Sequence, residues 1–228
     1  MVYDVIRTFG VDYIFFDLIF ITLFLFLLIK FKKKIPLIAF FVGGFFINFF
    51  VDWGIWLHTG MREVSLPQNF LGMPIFWSTL VFFLWFSLSY GVEYAYVFLM
   101  FEKKSNKIGW TALVFGGWLL IAFLSQLLPI NDAQIITLRH MSSLRFIEVG
   151  ILIIGYSLLF VLKYDWKKIA YLFFVGFAIH FMMEFSLLIT GIRPGSLIIL
   201  VENSLIEFNM GVPFFYLIYD KFLRKKIK

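Results

Sequence analysis

Seven apolar stretches, each about 19 residues or longer, constrain this chain more than any other feature. That is the length a helix rising about 1.5 Å per residue needs to cross roughly 30 Å of hydrocarbon. They run Val11 to Ile29, Ile35 to Leu57, Pro74 to Phe101, Ile108 to Leu128, Ile136 to Leu162, Ile169 to Thr190 and Ser196 to Tyr219. The runs are continuous and lack the two-residue alternation of a barrel wall, so helices are expected. With 62% hydrophobic and only 15% charged residues, the chain is too apolar for a soluble domain. The sequence therefore predicts an all-α integral membrane protein with seven transmembrane helices in a single domain. Asp4 and Arg7 precede the first run without a basic start or a small-residue cleavage site, so that run is expected to be a retained helix rather than a leader.

The net charge of +6 does not point to nucleic acid, because the Lys and Arg residues sit in short clusters between apolar runs. Lys30, Lys32, Lys33 and Lys34 follow the first run, Lys103, Lys104 and Lys107 the third, and Lys163, Lys167 and Lys168 the fifth. Lys221, Arg224, Lys225, Lys226 and Lys228 follow the seventh. Only Arg7, Arg62, Arg139, Arg145 and Arg193 fall elsewhere. The asymmetry predicts a multi-pass protein of the cell membrane with its N-terminus outside and its C-terminus cytoplasmic. With no cysteine in the chain, thiol ligands and disulfides are excluded.

An internal repeat emerges when Phe40-Phe41-Val42-Gly43 is laid on Phe173-Phe174-Val175-Gly176. Asn48 and Asp52 then fall opposite His180 and Glu184, and Thr59-Gly60-Met61-Arg62 opposite Thr190-Gly191-Ile192-Arg193. Two three-helix units, about 11–103 and 136–221, are expected to be joined by a connector helix at 108–128, a 3+1+3 plan of parallel repeats with the site between the halves. The connector's only polar residues are Thr111, Ser125 and Gln126, so it reads as a lipid-facing element.

Ionisable side chains inside a bilayer cost at least a few kcal/mol and mark a site by default. Depth counted along each helix puts His180 about 17 Å from the inner end and Glu207 about 17 Å from the outer end, with Glu202 about 9 Å deep. Asn48, Asp52, Arg145, Glu148 and Glu184 share that layer, from the midplane outward, and Asn209 is a further polar group of the last segment. Asn48 with Asp52, Arg145 with Glu148, His180 with Glu184 and Asn203 with Glu207 have the spacing that places each pair on one helix face. One deep Arg does not neutralise Glu148, Glu184, Glu202 and Glu207, so at least one carboxyl is expected to hold a proton or meet a cation. The bland alternative is a set of structural interhelical bonds. A metal is not expected, since there is one deep histidine and no Glu-x-x-His pair; no cofactor is implied. Glu93 reads as a residue near the cytoplasmic interface, and the outer Arg residues as solvated, with Arg62 and Arg193 as a possible basic rim.

Two resemblances bear on the chemistry. Asp52, Gly60 and Gly72-Met73-Pro74-Ile75, in a duplicated three-helix plan, resemble the heterodimer-type carotenoid lycopene cyclases, although Phe76 and Trp77 stand where that family has paired acids. His180-Phe181-Met182-Met183-Glu184 is similar to the His-x-x-x-Glu of sterol-isomerase-like proteins. Both imply acid chemistry on isoprenoid lipids. The expected function is an intramembrane acid-base enzyme that protonates, isomerises or cyclises an apolar isoprenoid or other membrane lipid in a pocket in the outer half of the bilayer. Catalytic roles fall to His180, Glu184 and Glu207, and substrate binding to Asn48, Asp52, Arg145, Glu148, Glu202 and Asn209. The alternative is a carrier or receptor of 3+1+3 plan that binds a cation, proton or other small molecule in the same pocket.

Overall fold

The computed structural model describes residues 4–67, 70–128, 131, 133–140 and 144–223. The basic residues Arg224, Lys225, Lys226 and Lys228 lie outside the described residues. The chain is mostly helical, at 74%. Among the described residues, five helices are long and apolar enough to cross a membrane: α1 (Val11–Lys30), α2 (Lys34–Trp56), α3 (Ile75–Phe101), α4 (Lys107–Leu127) and α6 (Trp166–Ile189). Ahead of α6 lies α5 (Leu144–Val161). After it, the last apolar segment is divided into α7 (Leu197–Ile206) and α8 (Val212–Ile218), the latter continuing as a π-wound stretch over Tyr219–Leu223. Both faces of these helices are apolar, as a bilayer allows: in α1, Phe20, Phe24 and Leu28 are buried while Phe15, Ile19, Leu23 and Phe26 are exposed. The architecture is that of a multi-pass helical membrane protein.

Local chemistry sets the helix ends. The side chains of Asn106, Asp165 and Ser196 accept hydrogen bonds from the N–H groups of Gly109, Lys167 and Ile199, opening α4, α6 and α7. The closing turns of α1 and α5 are alike: Lys32 and Lys163 take left-handed backbone angles (φ 54° and 59°), and the next N–H reaches back five residues, from Lys33 to Leu28 and from Tyr164 to Leu159. Pro213 sits in the first turn of α8, where its missing N–H costs least, and the chain turns through Glu207 to Gly211 before it.

A three-stranded antiparallel sheet, absent from the all-α expectation, covers one end of the bundle. Its strands are β1 (Val5–Gly10), β2 (Arg62–Ser65) and β3 (Gln134–Arg139), in the order β1-β3-β2. The fifth helix, expected from Ile136, therefore starts only at Leu144. Ile135, Ile136 and Thr137 are β-branched and suit a strand, and short alternating runs beside long apolar ones were absorbed into the helix count. Alternation turns Arg7, Ile135, Thr137 and Arg139 toward the bundle and leaves Ile6 and Ile136 exposed. Thr8 N–H donates to Ile192 O, so the loop after α6 joins the edge of β1. At the opposite end, Lys33 pairs with Glu102, and Tyr164 donates to Asp220 at 2.8 Å.

Helices α3 and α6 face each other at the centre. Helix α4 is less peripheral than its composition suggested: one face packs on α1, α3 and α6 and buries Trp110, Val114, Trp118 and Ile121, while Leu120 and Leu127 remain exposed. Helix α2 is π-wound over Phe40–Ile47 and Phe50–Trp56 and crosses α3 where Gly44 meets Gly91.

On the exposed side of the sheet, His140 lies 3.1 Å from Glu63 and 3.2 Å from Asp4. Its hydrogen bonds to Glu63 and then Asp4 raise its pKa above the ordinary 6.5. A raised folded-state value means that the contribution is complete below the unfolded pKa and is lost as pH rises through the folded one. An NMR titration of the His140 ring is expected to show a midpoint above 6.5, moving down in Glu63→Gln; an unmoved midpoint would refute the contact.

Candidate functional site

The buried face of the sheet presents one arginine per strand to the helices below. Arg62 lies opposite Arg139 in the sheet register, and Arg7 lies opposite Thr137. All three are at most 5% exposed. Each meets a carboxylate on a helix: Arg7 pairs with Glu184 of α6, Arg62 Nε with Asp52 Oδ1 of α2 at 2.8 Å, and Arg139 with Glu207 at the end of α7. Arg193, in the loop after α6, also binds Glu184, and Arg145 of α5 lies 2.9 Å from Glu148 and 3.5 Å from Glu207. Trp56 lies beneath Arg62 and Arg139 with ring centroids 5.4 and 5.1 Å away, and Phe86 lies 4.9 Å from Arg62 and 5.8 Å from Arg7. Such cation-π contacts add about 0.5 to 2 kcal/mol each when desolvated.

Two expectations are corrected by this arrangement. The outer arginines are buried partners rather than solvated residues, because the sheet folds them back under itself. The excess of acid accordingly shrinks: Arg7, Arg62, Arg139, Arg145 and Arg193 stand against Asp52, Glu93, Glu148, Glu184 and Glu207, with Asp12 and Asp17 as further buried acids on α1.

His180 of α6 is the hub. Its Nδ1 is 3.0 Å from Glu93 Oε2 of α3, and its Nε2 is 3.3 Å from Glu207 Oε2 and 3.8 Å from Glu184 Oε1. The ring lies parallel to Phe208, with an interplanar angle of 2°. Glu93 is thus no interfacial residue; it is 1% exposed and orients the imidazole. A helix count read it as interfacial because counting along α3 does not show that Glu93 meets His180 of α6. An imidazole with a carboxylate at each nitrogen holds a proton and can pass it on.

A cavity of about 230 Å³ opens beside this hub. Asn48, Asp52, Tyr90, Tyr94, Arg139, His180 and Glu207 form its polar wall. Ile47, Val51, Ile151, Met210 and Phe214 supply apolar lining from α2, α5 and the α7–α8 segment. Ile47 is 41% and Ile151 38% exposed, so these two form the lips of a lateral opening between helices. A second cavity of about 30 Å³, the size of one water, is lined by Arg7, Trp85, Ser89, Tyr90 and Glu93 behind the imidazole. Asp17 of α1, fully buried, accepts from Trp85 Nε1 at 3.0 Å nearby.

Of the residues singled out by sequence, His180, Glu184 and Glu207 do converge, with one ligand-type atom each within 4.8 Å of one another. A metal ion there would compete with guanidinium groups: Arg7 and Arg193 hold Glu184, and Arg139 and Arg145 lie against Glu207. Asn48, Asp52, His180 and Glu207 share the cavity, and Glu184 is not among its lining residues. Arg145 and Glu148 stand behind Glu207, and Glu202 is a half-exposed residue 3.7 Å from Arg145. Asn209 does not reach the cavity wall; it accepts from Tyr156 at 2.8 Å, donates to Phe173 O and packs on Gly176, holding α6 to the chain break. Arg7, Arg139, Tyr90 and Tyr94 were not singled out. The signal for the arginines was there: Val5-Ile6-Arg7-Thr8-Phe9 and Ile135-Ile136-Thr137-Leu138-Arg139 each put an Arg at the in-facing position of a two-residue alternation.

Two acids pair with an arginine a few residues beyond their own helix: Asp52 binds Arg62 and Glu184 binds Arg193. Comparison with protein-family models, with curated proteins and with solved structures found no match.

Proposed function

We propose that the chain is an intramembrane acid-base enzyme acting on a membrane lipid, with His180 as the group that gives and takes the proton. Glu207 is its partner at the cavity wall, and Glu93 the residue that fixes the ring. The observation that carries this reading is an imidazole flanked by two carboxylates at the wall of a cavity that is also lined by apolar side chains. A proton carrier at a desolvated apolar surface suits protonation or isomerisation, because no bulk water competes for the proton. The exposed lips Ile47 and Ile151 favour a ligand that enters sideways from the lipid phase. Glu184, pinned by two arginines, is assigned to structure rather than catalysis. In this account all seven apolar segments span the bilayer as duplicated three-helix units, with the sheet outside and the lysine clusters on the cytoplasmic side.

Membranes expressing wild type or His180→Gln to equal levels provide the test. Mass spectrometry of their lipid extracts is expected to show one lipid species depleted and a related one gained in wild type only. Identical extracts, from a variant with unaltered thermal unfolding, would contradict the proposal.

One observation favours the carrier or receptor reading as a second. The seventh segment is broken between Ile206 and Val212, next to Glu207, and discontinuous helices often build transporter sites. That reading predicts pH-dependent binding or flux of a soluble solute, lost in Glu207→Gln, with no change in lipid composition.

A further inference from the structure

Resting on that lipid-site reading, the geometry points to the kind of lipid taken: a single-chain lipid with an oxygen-bearing end, a carbonyl or hydroxyl, that enters head first while its chain stays in the bilayer. Size is the first argument. At roughly 30 Å³ per water in the liquid, the cavity of about 230 Å³ has room for about eight waters, enough for a head and a few carbons but not for a whole lipid. The chain must therefore leave between Ile47 and Ile151, which border the cavity and are exposed on α2 and α5.

The unused hydrogen-bonding capacity is the second. Asn48 Nδ2 is buried and has no hydrogen-bond partner among the described residues, although Asn48 lines the same cavity as His180 and Glu207. A hydrocarbon end would leave this donor unpaired; an oxygen would accept from it. Sites built to hydrogen-bond a polar group discriminate against analogues that lack it, whereas an apolar pocket does not reject an extra hydroxyl strongly. Asn48 thereby becomes a specificity residue. In the repeat it stands opposite His180, so one half supplies the proton carrier and the other the neutral donor.

Farnesal, farnesol and farnesene share a chain and differ at the end, which makes them suitable probes. Their affinities for the purified protein in a mild detergent are read from the rise in unfolding temperature with ligand concentration. Wild type is expected to bind the aldehyde and alcohol about tenfold or more tightly than the hydrocarbon. Asn48→Leu should keep binding and lose the preference, and Ile151→Trp, at the lip, should weaken all three. Equal affinities in wild type, or a preference that survives Asn48→Leu, would overturn the oxygen-headed assignment while leaving the lipid site intact. If none of the three binds, the lipid-site reading falls with it.

Discussion

Glu184→Ala is expected to lower stability by about 3 to 5 kcal/mol, the cost of leaving a buried ionic partner uncompensated. Glu184 is fully buried and holds both Arg7 and Arg193. Through Arg7 it ties β1 to α6, and through Arg193 it closes the loop that adds to the β1 edge at Thr8 and Ile192. Removing it leaves two guanidinium groups in a desolvated layer without their acid, so the sheet is expected to loosen from the bundle. For a chain of this size the loss corresponds to a fall in Tm on the order of 10 °C, read by tryptophan fluorescence in a mild detergent. Glu202→Ala serves as the control, because its side chain is half-exposed and 3.7 Å from Arg145. Exposed pairs contribute about 0 to 1 kcal/mol, so its Tm should barely move. A Tm in Glu184→Ala as high as that of Glu202→Ala would show that the sheet does not depend on the ion pairs beneath it.

Gly44→Ala is expected to be at least as damaging. A Cβ there would lie 2.0 Å from Gly91 Cα and 2.5 Å from Gly91 N, and both are backbone atoms that no rotamer change moves aside. The α2 and α3 backbones would have to separate, which costs the upper end of the roughly 1 to 3 kcal/mol typical of overpacking, or more. Separation would also shift Asn48 and Asp52, one turn and two turns further along α2, away from Tyr90 and Tyr94. Gly91→Ala should be milder, because its Cβ would meet the Phe40 ring, at 2.8 Å, and a ring can swing. Gly116→Ala has open space around its Cβ and should be neutral or gain up to about 1 kcal/mol of helix propensity. The order Gly44 worst, Gly91 intermediate and Gly116 harmless, in thermal unfolding, is the expected result; a harmless Gly44→Ala would place α2 elsewhere.

Hydropathy alone located the helical segments. Val11 to Ile29 and Ile108 to Leu128 differ from α1 and α4 by a residue at each end or less, because nothing but a helix satisfies the backbone of a run that long in lipid. Strands were hidden for the same reason: β3 overlaps the start of the fifth run, so a length count assigned Ile136 onward to helix. The break before α8 was visible only as Pro213, whose effect depends on where the preceding turn ends.

For the site, individual polar residues on apolar helices were legible and their partners were not. His180, Glu207, Asn48 and Asp52 stand out against their surroundings, and the structure gathers them around one cavity. Arg7, Arg62 and Arg139 lie just outside the apolar runs, where a solvated side chain is the ordinary reading, and only the fold of the sheet turns them inward. The number of buried arginines was therefore misjudged. The depth of Glu93 was misjudged because counting along one helix ignores how α3 and α6 meet. What the structure adds is the imidazole of His180 between Glu93 and Glu207.

Solvent deuterium is the most direct probe of that centre. Purified protein, reconstituted with total membrane lipid in deuterated water, should introduce deuterium into carbon–hydrogen bonds of one lipid, because any protonation, isomerisation or cyclisation initiated by His180 delivers a solvent-derived proton to carbon. His180→Gln, folded as judged by its unfolding temperature, should introduce none. Incorporation that persists in His180→Gln, or a wild-type protein that labels no lipid while remaining folded, would contradict the assignment of this buried cluster to acid-base chemistry on lipids.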